Sequence, residues 1–198
     1  IAGISHDLAT PLTAIKGYAS GILDGIAKSP EKERRYIEQI HESACLMETM
    51  VENLFLFSKL DLKKIPFHLE EVALADYLAD FVADRRELFA SRGLSLHFSS
   101  DGSACRAAID RTQFPRVLEN FLVNSIKYRR EDVPAALHIH VEEAGETVRL
   151  SFTDNGQGVP EEALGKLFDT FYRTDRARTD TSKGSGLGLA IAREIICA

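Results

Sequence analysis

The residues best suited to chemistry lie near the start of the chain, where His6 is followed directly by Asp7. Around them, apolar residues recur every three or four positions, which predicts a helix that packs against other helices through one seam. His6 lies on the side opposite this seam, and Thr10 lies one turn further along the same face. The imidazole is either a solvated surface group or a nucleophile whose proton the neighbouring carboxylate can take up. The seam comprises Ile1, Ile4, Leu8, Pro11, Ile15, Tyr18 and Ile22.

The helix that carries His6 is the first of two long predicted helices. It should run to about Ile26, and Pro11 should bend it because proline lacks a backbone donor. Ser29 and Pro30 suit the N-cap and the first position of a second helix. A hairpin of two such helices leaves apolar surface uncovered, which predicts a homodimer closed as a four-helix bundle rather than a monomeric hairpin packed on its own C-terminal half. The second seam comprises Ile37, Ile40, Ala44, Met47, Val51, Leu54 and Ser58.

The pattern changes beyond residues 60–66, which break the heptads and are predicted to form a linker. Gly93 should end the first helix of the second half, and Asp110 should cap the next one. Short strands beside these helices predict an α+β fold, in which a helical hairpin precedes a sheet covered on one face. The strands are predicted at 67–70, 94–99, 106–109, 137–143 and 147–154, and the helices at 74–91 and 111–128.

The predicted helix at 111–128 carries polar groups that a solvated surface does not require. Asn120 and Asn124 lie one turn apart with Lys127 on the same stripe, although asparagine is a poor helix former. The stripe is either a solvent face or a place where amide oxygens and a lysine hold Mg²⁺ and phosphate oxygens. The opposite side should pack on the sheet, and it comprises Phe114, Leu118, Phe121, Leu122 and Ser125.

Two glycine-rich segments follow this helix. Asp154 and Asn155 precede Gly156 and Gly158, a pattern typical of a turn in which glycines also let a ligand approach the backbone. Residues 184–189 open the last predicted helix, where free N–H groups and the helix dipole favour an anion. This second segment lacks the preceding strand and the final small residue of a dinucleotide fingerprint, and the chain has no phosphate-binding loop of the Gly-Lys-Ser/Thr type.

Five motifs, in this order and across nearly the whole chain, resemble those of bacterial sensor histidine kinases. Residues 6–12 resemble the phosphoacceptor box, with Ala9 where the family usually has arginine. Residues 120–128 resemble the asparagine box, 154–158 the first glycine box, 168–173 the phenylalanine motif and 184–189 the second glycine box. The resemblance implies a dimerisation and histidine phosphotransfer domain at 1–62 and an ATP-binding catalytic domain of the Bergerat-type α/β sandwich at 63–198.

The same resemblance implies roles for individual residues. His6 would receive the γ-phosphoryl group of ATP, Asp7 would act as general base, and Thr10 would orient the water that dephosphorylates the partner protein. Asn124 would bind Mg²⁺, and Asp154 would bind the adenine amino group. Residues 173–183 would be a mobile lid over ATP rather than merely a solvated loop. The other nucleotide-contact residues would be Asn120, Lys127, Tyr128, Gly156, Gly158, Phe168, Arg173, Lys183, Gly184, Ser185, Gly186, Leu187, Gly188 and Leu189.

The implied function is autophosphorylation from Mg²⁺ and ATP, transfer to an aspartate on the receiver domain of a response regulator, and dephosphorylation of that regulator. The alternatives are an ATPase or chaperone-like clamp on the same fold, and a nucleotide-sensing dimer without catalysis. Relatives usually continue past the last helix with a glycine turn and two further strands. The chain is therefore expected to be a truncated piece of a cytoplasmic protein or of the cytoplasmic part of an inner-membrane sensor.

The composition argues against several other functions. The chain has 198 residues, is 44% hydrophobic and 27% charged, and carries a formal net charge of −6, which argues against a nucleic-acid binder. No apolar run is as long as a membrane span, so no membrane contact is expected of this fragment. His138 and His140 alternate on a predicted strand but lack an evident third metal ligand. The residues in no cluster are His41, His68, His97, Cys45, Cys105 and Cys197.

Overall fold

The computed structural model of the chain describes residues 2–61, 65–102, 105–173 and 186–198, without the side chains of residues 2–7 and 61. The described residues form two compact units. One comprises those of Ile1–Ile65 and Gly165–Glu194, and the other those of Pro66–Leu164 and Ile195–Ala198. The division of the chain into domains at 62/63 stays a prediction.

The first unit contains a hairpin of two helices, α1 (Ala2–Leu23) and α2 (Pro30–Asp61). The predicted end of α1 near Ile26 is wrong by three residues, because Gly25 adopts a left-handed φ of +70°. The N–H of Gly25 donates to the carbonyl of Ile22 (3.0 Å), and that of Ile26 donates to the carbonyl of Gly21 (2.9 Å). This pair of bonds is the Schellman motif, which ends a helix where a glycine takes the left-handed conformation.

The start of α2 follows the sequence prediction, but its end does not. The Oγ of Ser29 accepts the N–H of Lys32 at 3.2 Å, and Pro30 is the first helical residue, so the predicted cap is confirmed. The helix continues to Asp61 and takes in the first two residues of the predicted linker. Leu60 is buried, so its packing continues the helix beyond the point at which the heptads break.

The second unit contains two sheets. The strand β1 (Leu69–Ala73) begins two residues later than predicted, because it pairs antiparallel with β3 (Arg106–Asp110) in a register from Leu69 opposite Asp110 to Ala73 opposite Arg106. In the chain, β1 is followed by α3 (Leu74–Ser91), which begins and ends as predicted, and then by β2 (Leu94–Ser100), which precedes β3. The second sheet has the order β2-β4-β5, with β2 parallel to β4 (Ala135–Ala144) and β4 antiparallel to β5 (Thr147–Asp154).

The helix α4 (Phe114–Lys127) begins three residues later than predicted, and Asp110 is not its N-cap. Asp110 is the last residue of β3, and its Oδ1 accepts the N–H groups of Thr112 (2.8 Å) and Gln113 (3.0 Å). These bonds hold residues 111–113 in a turn, so the helix starts only after them. Two further helices are described, α5 (Glu161–Leu164) and α6 (Gly188–Ile196).

The core of the second unit lies between the helices and one face of the larger sheet. Leu118 and Leu122 of α4 are fully buried, as are Leu137, Ile139 and Val141 of β4. The alternate residues of β4 lie on the other face, so the predicted sheet covered by helices on one face is confirmed. Among the described helices, none combines the length and the apolar character that crossing a membrane requires.

Candidate functional site

The predicted phosphoacceptor residues lie on one helix. The backbone of α1 is helical through His6, Asp7 and Thr10, which places Thr10 one turn after His6. The side chains of His6 and Asp7 lie outside the described part of the structure, whereas Thr10 is half-buried and Pro11 is buried. The roles of the three residues therefore stay predictions.

The helix α4 presents its two sides as the sequence predicts. Phe114, Leu118, Leu122 and Ser125 are buried, and the structure adds Val117 to this side. Phe121 is half-buried and its ring stacks on Phe152 of β5, with centroids 4.4 Å apart and planes at 10°. The polar stripe consequently points away from the core, and its members Asn120, Asn124 and Lys127 are half-buried rather than fully solvated.

The first glycine box connects the end of β5 to the end of α4. Asp154 ends β5, and its Oδ1 accepts the N–H of Gly156 at 2.8 Å, as in the turn that the sequence predicts. The N–H of Gln157 donates to the carbonyl of Tyr128 at 2.9 Å. The N–H of Tyr128 donates in turn to the carbonyl of Asn124 at 2.9 Å. One side-chain hydrogen bond and two backbone hydrogen bonds therefore connect the loop of Asp154, the predicted adenine-binding residue, with Asn124, the predicted metal-binding residue.

Gly156 and Gly158 meet different structural requirements, which are lack of space at the first and a positive φ at the second. A Cβ on Gly156 would lie 2.7 Å from Oδ1 of Asp154 and 2.8 Å from the carbonyl oxygen of Tyr128. Gly158 instead adopts a φ of +72°, which side chains disfavour. The loop can therefore pass close to the end of α4 only without a side chain at 156.

Two residues of this loop hold it in place, although the turn pattern predicts no contact for either of them. The side chain of Asn155 accepts the N–H of Ala136 and donates to the carbonyl of Pro134, both at 2.8 Å. The Nε2 of Gln157 donates to the carbonyl of Arg129 at 3.0 Å. The turn pattern shows that a loop is present, but it does not show which distant carbonyls the amide side chains reach.

The phenylalanine motif and the second glycine box are hydrogen-bonded to each other. The N–H of Phe171 donates to the carbonyl of Gly186 at 3.1 Å. Gly186 has a φ of +69°, and a Cβ there would lie 2.9 Å from the backbone of Phe171 and of Tyr172. Phe171 itself has a positive φ of 64°, which is uncommon outside glycine. Side chains of any size at 186 would therefore displace this segment.

The other residues predicted to contact the nucleotide differ in how much of their surface is exposed to solvent. Phe168 is exposed, whereas Arg173 is buried, which a solvated lid does not predict. Leu187 is buried, and Gly188 and Leu189 are half-buried at the start of α6. Lys183, Gly184 and Ser185 lie outside the described residues.

The donor set on α4 and β5 suits a nucleotide with a hard metal ion. Within the described residues, Oδ2 of Asp154 accepts no hydrogen bond, so it is available to an exocyclic amine. No three His, Cys, Asp or Glu side chains of the described chain come together as metal ligands. Mg²⁺ does not require such a group, because it is commonly held by one or two protein oxygens together with phosphate oxygens and water. The amide oxygen of Asn124 is compatible with that mode of binding.

Two family models match the chain. Residues 1–63 match the His Kinase A (phospho-acceptor) domain, and residues 109–198 match the histidine kinase-, DNA gyrase B- and HSP90-like ATPase. The chain is 31% identical over 198 residues to the sensor histidine kinase WalK of Bacillus subtilis, covering 100% of this chain and 32% of that protein. It is 36% identical over 197 residues to the signal transduction histidine-protein kinase BaeS of Escherichia coli, covering 99% of this chain and 41% of that protein. The chain thus spans well under half the length of these two relatives.

Solved structures show the same fold. The Acinetobacter baumannii histidine kinase AdeS matches with a TM-score of 0.71 at 22% identity, over 97% of this chain and 86% of that one. Histidine kinase ThkA, solved in complex with the response regulator protein TrrA, matches with a TM-score of 0.71 at 25% identity, over 87% of this chain and 50% of that one. The chain therefore belongs to the histidine kinase family, with a His Kinase A phospho-acceptor domain followed by an ATPase domain of the histidine kinase, DNA gyrase B and HSP90 type.

Proposed function

We propose that the chain is the catalytic core of a sensor histidine kinase, which phosphorylates His6 from ATP and passes the phosphoryl group to an aspartate of a response regulator. The proposal rests on one observation, which is that the phospho-acceptor domain and the ATPase domain occur in the same chain. The phospho-acceptor match includes His6, and the ATPase match includes the asparagine box and both glycine boxes. An ATPase or nucleotide-sensing scaffold would not require a histidine box, so these alternatives are not favoured.

In the first step, an imidazole nitrogen of His6 attacks the γ-phosphorus of ATP. A nitrogen–phosphorus bond forms, the bond from the γ-phosphorus to the bridging oxygen breaks, and ADP leaves. Asp7 takes up the proton that the imidazole loses, which is the role of a general base. In the second step, a carboxylate oxygen of the regulator attacks the phosphorus, an oxygen–phosphorus bond forms, the nitrogen–phosphorus bond breaks, and the imidazole of His6 is released and recovers its proton. Positioning and charge neutralisation supply most of the rate in such transfers.

The nucleotide is held by residues of α4 and of the two glycine boxes. The carboxylate of Asp154 accepts a hydrogen bond from the adenine amino group, and Tyr128 borders the base. Asn124 is the protein ligand of Mg²⁺, which when bound would offset the negative charge of the phosphates. Asn120, Lys127 and the second glycine box contact the phosphates. The half-buried position of Asn124 beside the loop of Asp154 supports this assignment.

The proposed partners are a second copy of the chain and the receiver domain of a response regulator. The phospho-acceptor match supports a homodimer through the helical hairpin. The complex of ThkA with TrrA supports a response regulator as the acceptor. Thr10 orients the water that removes the phosphoryl group from that regulator, and a cytoplasmic location stays a prediction.

The test is incubation of the chain with Mg²⁺ and γ-labelled ATP, followed by acid and base treatment of the product. The label should be acid-labile and base-stable, as expected of a phosphoramidate and not of a serine ester. His6→Gln should abolish the label and leave ATP binding within a few-fold of wild type. Label that persists on this variant would overturn the assignment of His6, and loss of ATP binding would show that the change disturbs the fold instead.

Dephosphorylation is tested separately, with a pre-phosphorylated regulator. Thr10→Ala should leave autophosphorylation within a few-fold and slow the decay of the phosphorylated regulator, while the helix is preserved because alanine is the better helix former. An equal loss of both activities would remove Thr10 from the phosphatase step.

A further inference from the structure

Two histidines of β4 lie on the face of the larger sheet that faces away from α4. Along β4 the side chains of Leu137, Ile139 and Val141 are buried, and those of His138 and His140 lie on the other face. His138 is exposed and His140 is half-buried. Alternate positions on a strand share one face, so the two imidazoles are neighbours on an accessible surface.

A serine of the adjacent strand brings the two ring nitrogens towards one point. Ser99 of β2 lies opposite His140 in the parallel register. Its Oγ is 2.7 Å from Nε2 of His138 and 2.7 Å from Nδ1 of His140. Twice this distance, 5.4 Å, is the most that the two nitrogens can be apart. The alternation of the two histidines is visible in the sequence, whereas Ser99 is about 40 residues away in the chain and only the pairing of β2 with β4 brings it to them.

We propose that Nε2 of His138 and Nδ1 of His140 bind a divalent transition metal ion of the class of Ni²⁺, Cu²⁺ or Zn²⁺. Imidazole nitrogen is a preferred ligand of these ions and not of Mg²⁺, so the site is chemically distinct from the proposed nucleotide site. The shared point is occupied by Oγ of Ser99, so this hydroxyl must first rotate away, and the two nitrogens must then approach the ion to the zinc–nitrogen distance of about 2.0–2.1 Å. Small rotations of surface side chains provide such a movement. The ion displaces the two hydrogen bonds between Ser99 and the imidazoles, so the hydroxyl competes with the ion for both ring nitrogens.

A neighbouring carboxylate is placed to orient one of the two imidazoles. The Oε2 of Glu142 lies 3.8 Å from Nε2 of His140, the ring nitrogen that does not face Ser99. Glu142 is itself held by Arg149 of β5, at 2.9 Å. A carboxylate behind a metal-bound imidazole orients the ring and raises its basicity. Because no three His, Cys, Asp or Glu side chains of the described chain converge, water completes the coordination, and the site is open and exchangeable.

The experiment is titration of the chain with Ni²⁺, which does not oxidise thiols, followed by calorimetry and by paramagnetic broadening of amide signals. Sγ of Cys45 lies 3.8 Å from Nδ1 of His41 on α2, and this pair could also take the ion. The titration is therefore carried out in a His41→Ala, Cys45→Ala background, in which both changes are at exposed positions. Broadening should centre on β4 and the end of β2, and binding should weaken as the pH falls because the ligands must be unprotonated.

His138→Gln and His140→Gln keep a polar partner for Ser99, and each should weaken Ni²⁺ binding by at least about tenfold. Ser99→Ala should bind Ni²⁺ at least as tightly as the background chain, because the competing hydroxyl is removed. His68→Ala is the matched control and should change nothing, since His68 is exposed and lies outside this face. Binding that is absent, or that survives replacement of both His138 and His140, would overturn the proposal. Autophosphorylation is not used as a readout, so the result is independent of the kinase assignment.

Discussion

Asp110 is a buried carboxylate with four hydrogen bonds, and it joins three parts of the second unit. Its Oδ1 accepts the hydroxyl of Thr112 (2.7 Å) and the N–H groups of Thr112 and Gln113, and its Oδ2 accepts the N–H of His68 (2.8 Å). The hydroxyl of Thr112 and the N–H of His68 are the main causes that lower the pKa of Asp110 from its ordinary 3.8 to about 2. Hydrogen bonds to the charged form thus outweigh the effect of burial, which would raise the pKa.

This lowered pKa predicts a specific loss of stability in acid. Because the folded chain binds the proton of Asp110 less readily than the unfolded chain, the stabilisation is fully present above about pH 4 and is lost as the pH falls towards 2. A shift from 3.8 to about 2 corresponds to about 2 kcal/mol. Asp110→Asn should lower the free energy of unfolding by about this amount at pH 7 and by much less near pH 2. Chemical denaturation at a series of pH values measures both.

Asp132→Asn is the matched control for this prediction. The pKa of Asp132 is also lowered, chiefly by a hydrogen bond from Arg130, but this carboxylate is exposed. Exposed ion pairs contribute little to stability, so the control should unfold like wild type at every pH. Equal effects of the two substitutions would contradict the role given to Asp110.

The proposed division of labour in the nucleotide site can be tested at Asn124 and Asp154. Asn124→Ala should weaken ATP binding only when Mg²⁺ is present, because this residue is assigned to the metal. Asp154→Ala should weaken it by about tenfold with or without Mg²⁺, because a hydrogen bond to the base is lost. Calorimetry in both conditions distinguishes the two effects. If the two variants lost the same ATP affinity, and lost it equally with and without Mg²⁺, the assignment would be refuted.

At the scale of the element, α1 and α2 approach each other closely where Gly21 faces Tyr36. Tyr36 of α2 packs edge-on against Tyr18 of α1, with ring centroids 5.1 Å apart. A Cβ on Gly21 would lie 2.7 Å from Cε2 of Tyr36, whereas one on Gly17 would contact nothing within 4 Å. The two glycines lie one turn apart on α1 and therefore form a matched pair.

Replacing each glycine by alanine should have opposite effects on stability. Gly17→Ala should stabilise the hairpin by up to about 1 kcal/mol, because alanine is the better residue in a helix interior. Gly21→Ala gains the same propensity, but overpacking against the tyrosine costs about 1–3 kcal/mol, so it should destabilise. Thermal unfolding followed by circular dichroism measures the difference. A Gly21→Ala chain as stable as the Gly17→Ala chain would show that Tyr36 moves freely.

At the scale of the whole molecule, the hairpin leaves large apolar side chains exposed. Leu12, Ile37, Val51 and Phe55 expose between 38% and 66% of their surface. Ile37 and Val51 belong to the seam that predicts a four-helix bundle. A second copy that covers this surface is what the proposed homodimer provides.

Val51→Glu should therefore shift the chain from dimer to monomer, because it would bury a charge in the proposed interface. Thr49→Glu is the control, since it adds the same charge at an exposed position of α2 outside the seam. Analytical ultracentrifugation at micromolar concentration measures the oligomeric state. A wild-type chain that is monomeric there, or a Val51→Glu chain that stays dimeric, would contradict the bundle.

Features that depend on neighbouring residues could be predicted from the amino-acid sequence. The Ser29 cap, the bounds of α3 and β5 and the buried side of α4 agree with the structure because periodicity and capping act within a few residues of the chain. The motifs and their order likewise sufficed to identify the family that the comparisons support. The individual roles in the site stay predictions.

Features that depend on residues far apart in the chain could not be predicted and are visible only in the folded unit. The strand β1 begins at Leu69 because β3 pairs with it, and α4 begins late because the carboxylate of Asp110 holds the preceding turn. The bridge from Ser99 to His138 and His140 exists because the parallel pairing of β2 with β4 brings residues about 40 positions apart to within hydrogen-bonding distance. A local sequence pattern does not predict the register of two paired strands or the hydrogen-bond partners of a buried carboxylate, because both depend on how the whole unit packs.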